Sequence, residues 1–132
     1  MEFKLMQFLF LVIFQVICMA NFSFGKGCPD PATLDEFTCA MVYKDATDDE
    51  ATSCSGDSDE VINDEETPDL GDFDDKISSL VVREGCTLNG YWKKDFNGDE
   101  RDFTGLVLNL DHVHNGLGDW DNDISSYKCK CV

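Results

Sequence analysis

One acidic decapeptide occurs twice in this sequence, as LGDFDDKISS over residues 70–79 and as LGDWDNDISS over residues 117–126. The copies start 47 positions apart and are identical at seven positions. Two of the three differences, Phe73 against Trp120 and Asp75 against Asn122, preserve the chemical character of the side chain. A repeat of this kind indicates that the chain is built from two similar halves.

A second correspondence lies upstream of each decapeptide. Tyr43 begins the stretch YKDA, and Tyr91 begins YWKK at a position 48 residues later. Each half therefore reads as a strand ending in an aromatic residue, a tight hairpin, a variable stretch, the decapeptide and a final strand. Halves this short cannot bury a core alone, so we expect them to pack together as one pseudo-symmetric domain.

Short β-rich runs separated by Gly, Asn and Asp predict strands at residues 38–43, 79–82, 86–92 and 103–110. No window has an apolar period of 3.6 residues over three turns, so we expect at most a brief helix over residues 33–37, capped by Thr33. This pattern favours an all-β protein with an antiparallel sandwich or barrel.

The net charge is −17. So acidic a chain repels nucleic-acid phosphates and anionic membrane faces, and it attracts cations or basic partners. Fourteen Asp and Glu residues, with no Lys or Arg, lie between Asp45 and Asp75. A self-repelling run of this kind predicts a solvated loop over residues 57–66. The end of the run is different, because its pattern recurs in the second decapeptide.

The N-terminal residues are typical of an exported protein. Residues 1–20 predict a signal peptide, with cleavage after Gly25 as the alternative, and the apolar run over residues 8–19 is too short for a membrane span. An N-terminal segment, residues 26–37, then precedes a domain over residues 38–132. The predicted location is extracellular.

Six cysteines lie outside the predicted signal peptide. An even number in a short exported chain predicts disulfides, although the sequence does not choose among the pairings. Cys129 and Cys131 are not expected to pair with each other, because an extended backbone holds them apart. A thiolate zinc site would require paired CxxC motifs, which this chain lacks. The disulfide candidates are Cys28, Cys39, Cys54, Cys86, Cys129 and Cys131.

Two motifs carry a family resemblance. Residues 91–98 fit the pattern aromatic-x4-aromatic-x-Gly, and residues 74–79 and 121–126 both fit (Asn/Asp)-(Asn/Asp)-x-x-(Ser/Thr)-Ser. Together they resemble the calcium-binding branch of the βγ-crystallin domain family. The resemblance implies a β-sandwich of two Greek keys, over about 38–83 and 84–131. The first key departs from the pattern, because Asp48 stands where an aromatic is expected and Glu50 where Gly is expected.

The resemblance also implies two Ca²⁺ ions bound between crossed keys. The implied ligands are the side chains of Asp75, Asn122, Ser78 and Ser125 and the main-chain carbonyls of Lys76, Asp123, Lys44 and Trp92, with Asp74 and Asp121 as supporting charge. All of these donors are oxygens, which suit calcium and argue against zinc or copper. Ser79 and Ser126 are instead implied to form hydrogen bonds within their own key. The ion that uses Lys44 is expected to bind more weakly, because its hairpin is degenerate.

Other chemistries find little support in the sequence. EF-hand-like starts at residues 95 and 119 lack the required Gly and Glu positions. His112 and His114 form an HxH pair with no third zinc ligand at a suggestive spacing. No nucleophile lies in a recognisable catalytic motif. With the resemblance, this leads us to expect a secreted, monomeric, non-enzymatic calcium-binding protein. The alternative is a disulfide-rich defence or toxin-like effector, or a protease inhibitor, on the same fold.

Overall fold

The computed structural model describes residues 27–115 and 118–132. The predicted signal peptide and Leu117 of the second decapeptide lie outside the described residues. Two four-stranded antiparallel sheets form the fold, in the orders β2-β1-β4-β7 and β3-β10-β5-β6, and β8 and β9 pair separately. The strands are β1 Thr38–Asp45, β2 Ser55–Ile62, β3 Glu66–Thr67, β4 Ser79–Val82, β5 Cys86–Lys93, β6 Asn97–Phe103, β7 Leu106–Val107, β8 His114–Asn115, β9 Gly118–Asp119 and β10 Ser126–Cys131. Short 3₁₀ turns cover Pro31–Thr33, Gly71–Phe73 and Leu110–His112, and Lys94–Phe96 form a tight turn in which Asp95 and Phe96 have positive φ.

The topology is pseudo-symmetric. Strands β1, β2 and β4 lie in the first sheet while β3 crosses to the second, and β5, β6 and β10 lie in the second sheet while β7 crosses to the first. Each half therefore lends one short strand to the sheet of the other half. This arrangement confirms the predicted sandwich of two Greek keys.

The core lies between the two sheets. Leu80 and Val82 from the first sheet and Leu88 from the second are fully buried. Ile77 and Ile124, the apolar residues of the two decapeptides, are fully buried in the same cluster. Burying a side chain of this size contributes about 1.5–3 kcal/mol. Both isoleucines therefore fix their loops to the core.

The prediction of a solvated loop over residues 57–66 is wrong. These residues contain most of β2, which pairs antiparallel with β1 at the edge of the first sheet. Val61 is the buried residue of β2, and the acidic side chains of the strand face solvent. The charge run therefore marks the exposed surface of an edge strand, where charge discourages pairing with another chain.

Two further boundaries differ from the sequence prediction. The expected strand over residues 103–110 is divided at Gly105, whose φ of +64° produces a turn between β6 and β7. The expected helix over residues 33–37 lies upstream, as the 3₁₀ turn Pro31–Thr33. Asp30 caps this turn by accepting a hydrogen bond from the Ala32 amide at 2.9 Å, and Pro is favoured at its first position.

The six cysteines form three disulfides. As expected, Cys129 and Cys131 do not pair with each other. Cys86 and Cys131 are direct partners in the ladder between β5 and β10, and the Cys39–Cys129 bond joins the two sheets through the core. The pairs and their Cα separations are Cys28–Cys54 at 4.9 Å, Cys39–Cys129 at 6.2 Å and Cys86–Cys131 at 4.0 Å.

Candidate metal sites

The loops of the two decapeptides are crossed and bonded to each other. The Asp75 amide donates to the Ile124 carbonyl at 3.2 Å, and the Asn122 amide donates to the Ile77 carbonyl at 3.0 Å. Asp75 and Asn122 adopt left-handed backbone conformations, with φ of 55° and 57°. Asp and Asn tolerate this region better than most residues, which explains their presence at these turns.

The side chains of the two loops form a second reciprocal pair of hydrogen bonds. Ser78 Oγ donates to Asn122 Oδ1 at 3.2 Å, and Ser125 Oγ donates to Asp75 Oδ1 at 2.9 Å. Each decapeptide therefore brings its first serine to the Asp or Asn of the other decapeptide. The crossed arrangement that the resemblance implies is present for these four side chains.

The hairpins bring main-chain groups to the same two places. The Ser78 amide donates to the Tyr43 carbonyl and the Ser125 amide to the Tyr91 carbonyl, both at 2.9 Å. The strand register shifts immediately after each tyrosine, at Lys44 and at Trp92, the two residues whose carbonyls the sequence analysis proposed as ligands. Two equivalent sites result. Site A is defined by Lys44, Ser78 and Asn122, and site B is defined by Trp92, Ser125 and Asp75.

Two other predicted carbonyl donors lie in the loops. The carbonyls of Lys76 and Asp123 accept no hydrogen bond from the residues that the structure describes. Both residues are exposed. These two carbonyl oxygens therefore take no part in the hydrogen bonding that stabilises the described fold.

Ser79 and Ser126 have a different role from the first serines. Ser79 Oγ donates to the Asp45 carbonyl at 2.7 Å, and Ser126 Oγ donates to the Lys93 carbonyl at 2.6 Å. Both serines are fully buried. Each holds the end of its own hairpin strand against the sheet, as the resemblance implies.

Negative charge is concentrated in the two loops. Asp74 Oδ1 and Asp121 Oδ1 are buried without a hydrogen-bond partner among the described residues. Although Asp123 is exposed, partial desolvation of its carboxylate raises its pKa, and the charges of Asp119, Asp75 and Asp121 raise it further. Buried carboxylate oxygens normally have partners. Unpaired oxygens beside further oxygen donors fit a hard divalent cation such as calcium.

Site A opens into a solvent-accessible depression of about 700 Å³. Beyond the three residues that define site A, it is lined by Asp45, Ala46, Asn109, Asp111 and Asp121. Asn109 and Asp111 come from the segment around the 3₁₀ turn Leu110–His112, and the sequence analysis missed them. No local signal marks them, because tertiary folding brings them next to the first hairpin.

The two hairpins are stabilised differently. In the second, Tyr91 packs edge-to-face on Phe96 with ring centroids 5.6 Å apart, and Gly98 has a φ of +80°. In the first, Tyr43 packs in a small cluster that contains the disulfide-bonded Cys28 and Cys54. The departure from the aromatic pattern is thus compensated by a disulfide.

Asp48, which stands in the place of the second aromatic, has polar partners. It accepts a hydrogen bond from Asn109 Nδ2 at 2.9 Å, and its Oδ1 lies 2.7 Å from His112 Nε2. The hydrogen bond from Asn109 and the contact with His112 lower the pKa of Asp48. The first hairpin is therefore tied to the second Greek key by side chains that line or border site A.

Comparison with known proteins identifies the family. The family model described as Syncollin matches residues 27–131. The chain belongs to the syncollin family. No curated protein matches this chain significantly.

Solved βγ-crystallin domains are similar to this syncollin-family chain in fold. A domain from Flavobacterium johnsoniae is 19% identical over 70% of this chain and 94% of its own length, with a TM-score of 0.55. A βγ-crystallin from an archaeon is 25% identical over 67% and 93%, with a TM-score of 0.52. A structure concerning the evolution of the eye lens βγ-crystallin fold is 19% identical over 76% and 93%, with a TM-score of 0.57. These similarities support the βγ-crystallin fold that the motifs predict. The family model that matches the sequence, however, is that of syncollin.

In the part of this syncollin-family chain that the structure describes, no group of thiolate or histidine side chains could bind a metal such as zinc. The one grouping of three potential soft or acidic ligands there comprises Cys39, Cys86 and Cys131. All three are in disulfides, so they offer no thiolate. His112 binds Asp48, whereas His114 lies in β8. Among the described residues, no helix has the length and apolar character required to span a membrane.

Proposed function

We propose that this chain is a secreted, non-enzymatic protein that binds two Ca²⁺ ions between its Greek keys, one at site A and one at site B. The observation that carries the proposal is the reciprocal pairing of Ser78 with Asn122 and of Ser125 with Asp75. An accidental acidic surface would not repeat the same donor set, the same loop backbone and the same hairpin contact twice.

The proposed ligands all donate oxygen. Asn122 and Asp75 supply side-chain oxygens, Ser78 and Ser125 supply hydroxyls, and main-chain carbonyls come from the residues Lys44, Trp92, Lys76 and Asp123. Water molecules would complete the six to eight ligands that calcium takes. Bound calcium supplies a divalent charge that neutralises the crossed loops. Asp74 and Asp121, with their unpaired oxygens, provide supporting negative charge.

Binding would stabilise the fold by linkage. A site with a dissociation constant of about 10 μM in about 10 mM calcium adds about 4 kcal/mol to the free energy of unfolding. The same ions would reduce the self-repulsion that accompanies a net charge of −17.

Secretion is supported by two independent features. Three disulfides staple the fold, and disulfides of this kind are formed and kept in oxidising compartments. Membership of the syncollin family is compatible with a secreted granule protein. The predicted signal peptide agrees with both.

The test is a calcium titration of the oxidised protein after treatment with a chelator. We expect two bound ions by calorimetry and a higher thermal midpoint as calcium is restored. The variant D75A/N122A should lose the calcium-dependent shift, while D99A, at an exposed aspartate in β6, should retain it. His112→Ala is a poor control, because His112 contacts Asp48 beside site A.

The comparison uses the difference between midpoints with and without calcium, since Ala at a left-handed position lowers stability by itself. No binding and no shift at millimolar calcium would contradict the proposal. Calcium-independent activity on cells or proteases would support the effector or inhibitor alternative instead.

A further inference from the structure

One of the differences between the two hairpins changes the charge beside the proposed metal sites. Ala46 lies three residues after Tyr43, and Lys94 lies three residues after Tyr91. Ala46 lines the open depression at site A. The same place beside site B therefore carries a long cationic side chain.

The Lys94 ammonium contacts the acidic loop of site B. Its Nζ lies 3.4 Å from Asp74 Oδ2 and 3.2 Å from Asp69 Oδ2. Asp74 is the counterpart of Asp121 in the repeat, and Asp121 lines the open depression at site A. At site B, the equivalent acid has a protein cation as its partner.

The surrounding backbone positions this lysine. Lys94 begins a tight turn in which Asp95 has a φ of 57°, and the Asp95 amide donates to the Pro68 carbonyl at 2.9 Å. Asp69 in turn accepts a hydrogen bond from the Gly71 amide at 3.0 Å. The hairpin and the start of the first decapeptide thus bring Lys94 and its two acids together.

Site A also has a lysine, but that lysine points to other partners. Lys44 Nζ pairs with Asp57 Oδ2 at 3.2 Å and lies 4.8 Å from the centre of the Phe73 ring. Among the described residues, it makes no ion pair with Asp121. Asp121 Oδ1 has no hydrogen-bond partner among the described residues, and Asp121 Oδ2 accepts only a neutral hydrogen bond from Asn122 Nδ2 at 2.9 Å. Among these residues, the carboxylate at site A therefore has no cationic partner.

We propose that Lys94 is a built-in counter-ion of site B, so that site B binds calcium more weakly than site A. This inference rests on the proposed function and reverses the expectation that the degenerate first hairpin makes site A the weaker site. A cation entering site B meets a fixed positive charge and an acid that already has a partner. Exposed ion pairs of this type change affinity by a factor of about 2 to 5.

The experiment isolates site B in the oxidised full protein. The variant N122A disables site A, and calcium is then titrated by calorimetry into N122A and N122A/K94M. We expect K94M to tighten binding at site B by a factor of about 2 to 5, and the gain to shrink at high salt. K130M is the control, because the exposed Lys130 forms no ion pair among the described residues, lies away from site B towards the end of β10, and should leave the affinity unchanged.

A second measurement follows thermal stability instead of calcium binding. Without calcium, K94M should lower the thermal midpoint, since Lys94 partly neutralises Asp74 and Asp69 there. With calcium, K94M should show a larger stabilisation than the wild type. These opposite effects distinguish a counter-ion from a lysine that only packs against the loop.

The outcomes separate the two proposals. If wild type binds two ions but K94M leaves site B unchanged, or if site B is the tighter site in the wild type, the counter-ion role of Lys94 is wrong while the calcium function stands. If the wild type binds no calcium at either site, the proposed function fails and this inference fails with it.

Discussion

At the scale of single residues, the adjacent serines of each decapeptide separate folding from binding. Ser126 Oγ donates to the Lys93 carbonyl and accepts from the Phe96 amide at 3.1 Å, whereas Ser125 Oγ contacts Asp75. We predict that S126A lowers the free energy of unfolding by about 1–3 kcal/mol with or without calcium, because it removes the partners of two main-chain groups. Denaturant unfolding in chelator and in calcium measures this.

S125A is the matched comparison for S126A. Its effect should fall mainly on the calcium-dependent part of the stability, because its hydroxyl faces the loop of the other key. S58A, at an exposed position of β2, should change neither quantity. Indistinguishable behaviour of S125A and S126A would contradict the division of roles.

The contact of Asp48 with Asn109 and His112 predicts a pH dependence. These partners lower the pKa of Asp48 in the folded state. A carboxyl with a lowered folded pKa contributes stability above its unfolded pKa, and this contribution is lost as the pH falls through the folded pKa. D48N should therefore reduce the loss of stability between about pH 5 and the acid range, as measured by thermal unfolding across pH. An unchanged acid limb would show that the pair contributes nothing to stability.

Some residues of the candidate sites could be predicted from the sequence, whereas others could not, for a physical reason. Asp75 and Asn122 could be predicted because the repeat places them at equivalent turns. Asn109 could not, because it meets Asp48 across 61 positions of the chain, and Asp48 departs from the repeat at the place where an aromatic is expected. Long-range polar partners leave no periodic trace in a single sequence.

At the scale of elements, the second hairpin depends on one glycine. Gly98 has a φ of +80°, and a Cβ there would lie 3.1 Å from Lys93 Cγ and 3.3 Å from Trp92 Cβ. We predict that G98A lowers the free energy of unfolding by about 1–3 kcal/mol, through a strained backbone conformation and a tight contact. Glu50 occupies the equivalent position without a positive φ. E50G should therefore give no gain, and a stabilising E50G would contradict the view that the first hairpin has a different backbone.

The strands show which elements of the fold a local sequence pattern can predict. The strand predicted at residues 79–82 is β4, whose four residues are all buried, so composition alone marks it. β2 was missed because its side chains face solvent, and an exposed edge strand resembles a loop in composition. Its pairing with β1 is a contact of the folded chain, which the local sequence does not show.

At the scale of the whole molecule, the repeat predicts the pseudo-symmetric sandwich, but the disulfides do not follow that symmetry. Cys28–Cys54 joins the N-terminal segment to the first half, Cys86–Cys131 lies within the second half, and Cys39–Cys129 joins the two halves. Only the last bond closes most of the chain, with a sequence separation of 90 against 26 for Cys28–Cys54. Connectivity of this kind depends on which strands are neighbours, which spacing along the chain does not show.

The loop lengths lead to a ranking of the disulfides. Loop-closure entropy assigns about 4–5 kcal/mol to Cys39–Cys129 and about 3–4 kcal/mol to Cys28–Cys54. Cys39 and Cys129 are also buried in the main core, so removing their sulfurs loses packing between the sheets as well. We predict that C39A/C129A destabilises the calcium-free protein more than C28A/C54A, as measured by denaturant unfolding under oxidising conditions. The reverse order would mean that the first hairpin and the disulfide packed against Tyr43, rather than the bond between the sheets, limit the stability of the fold.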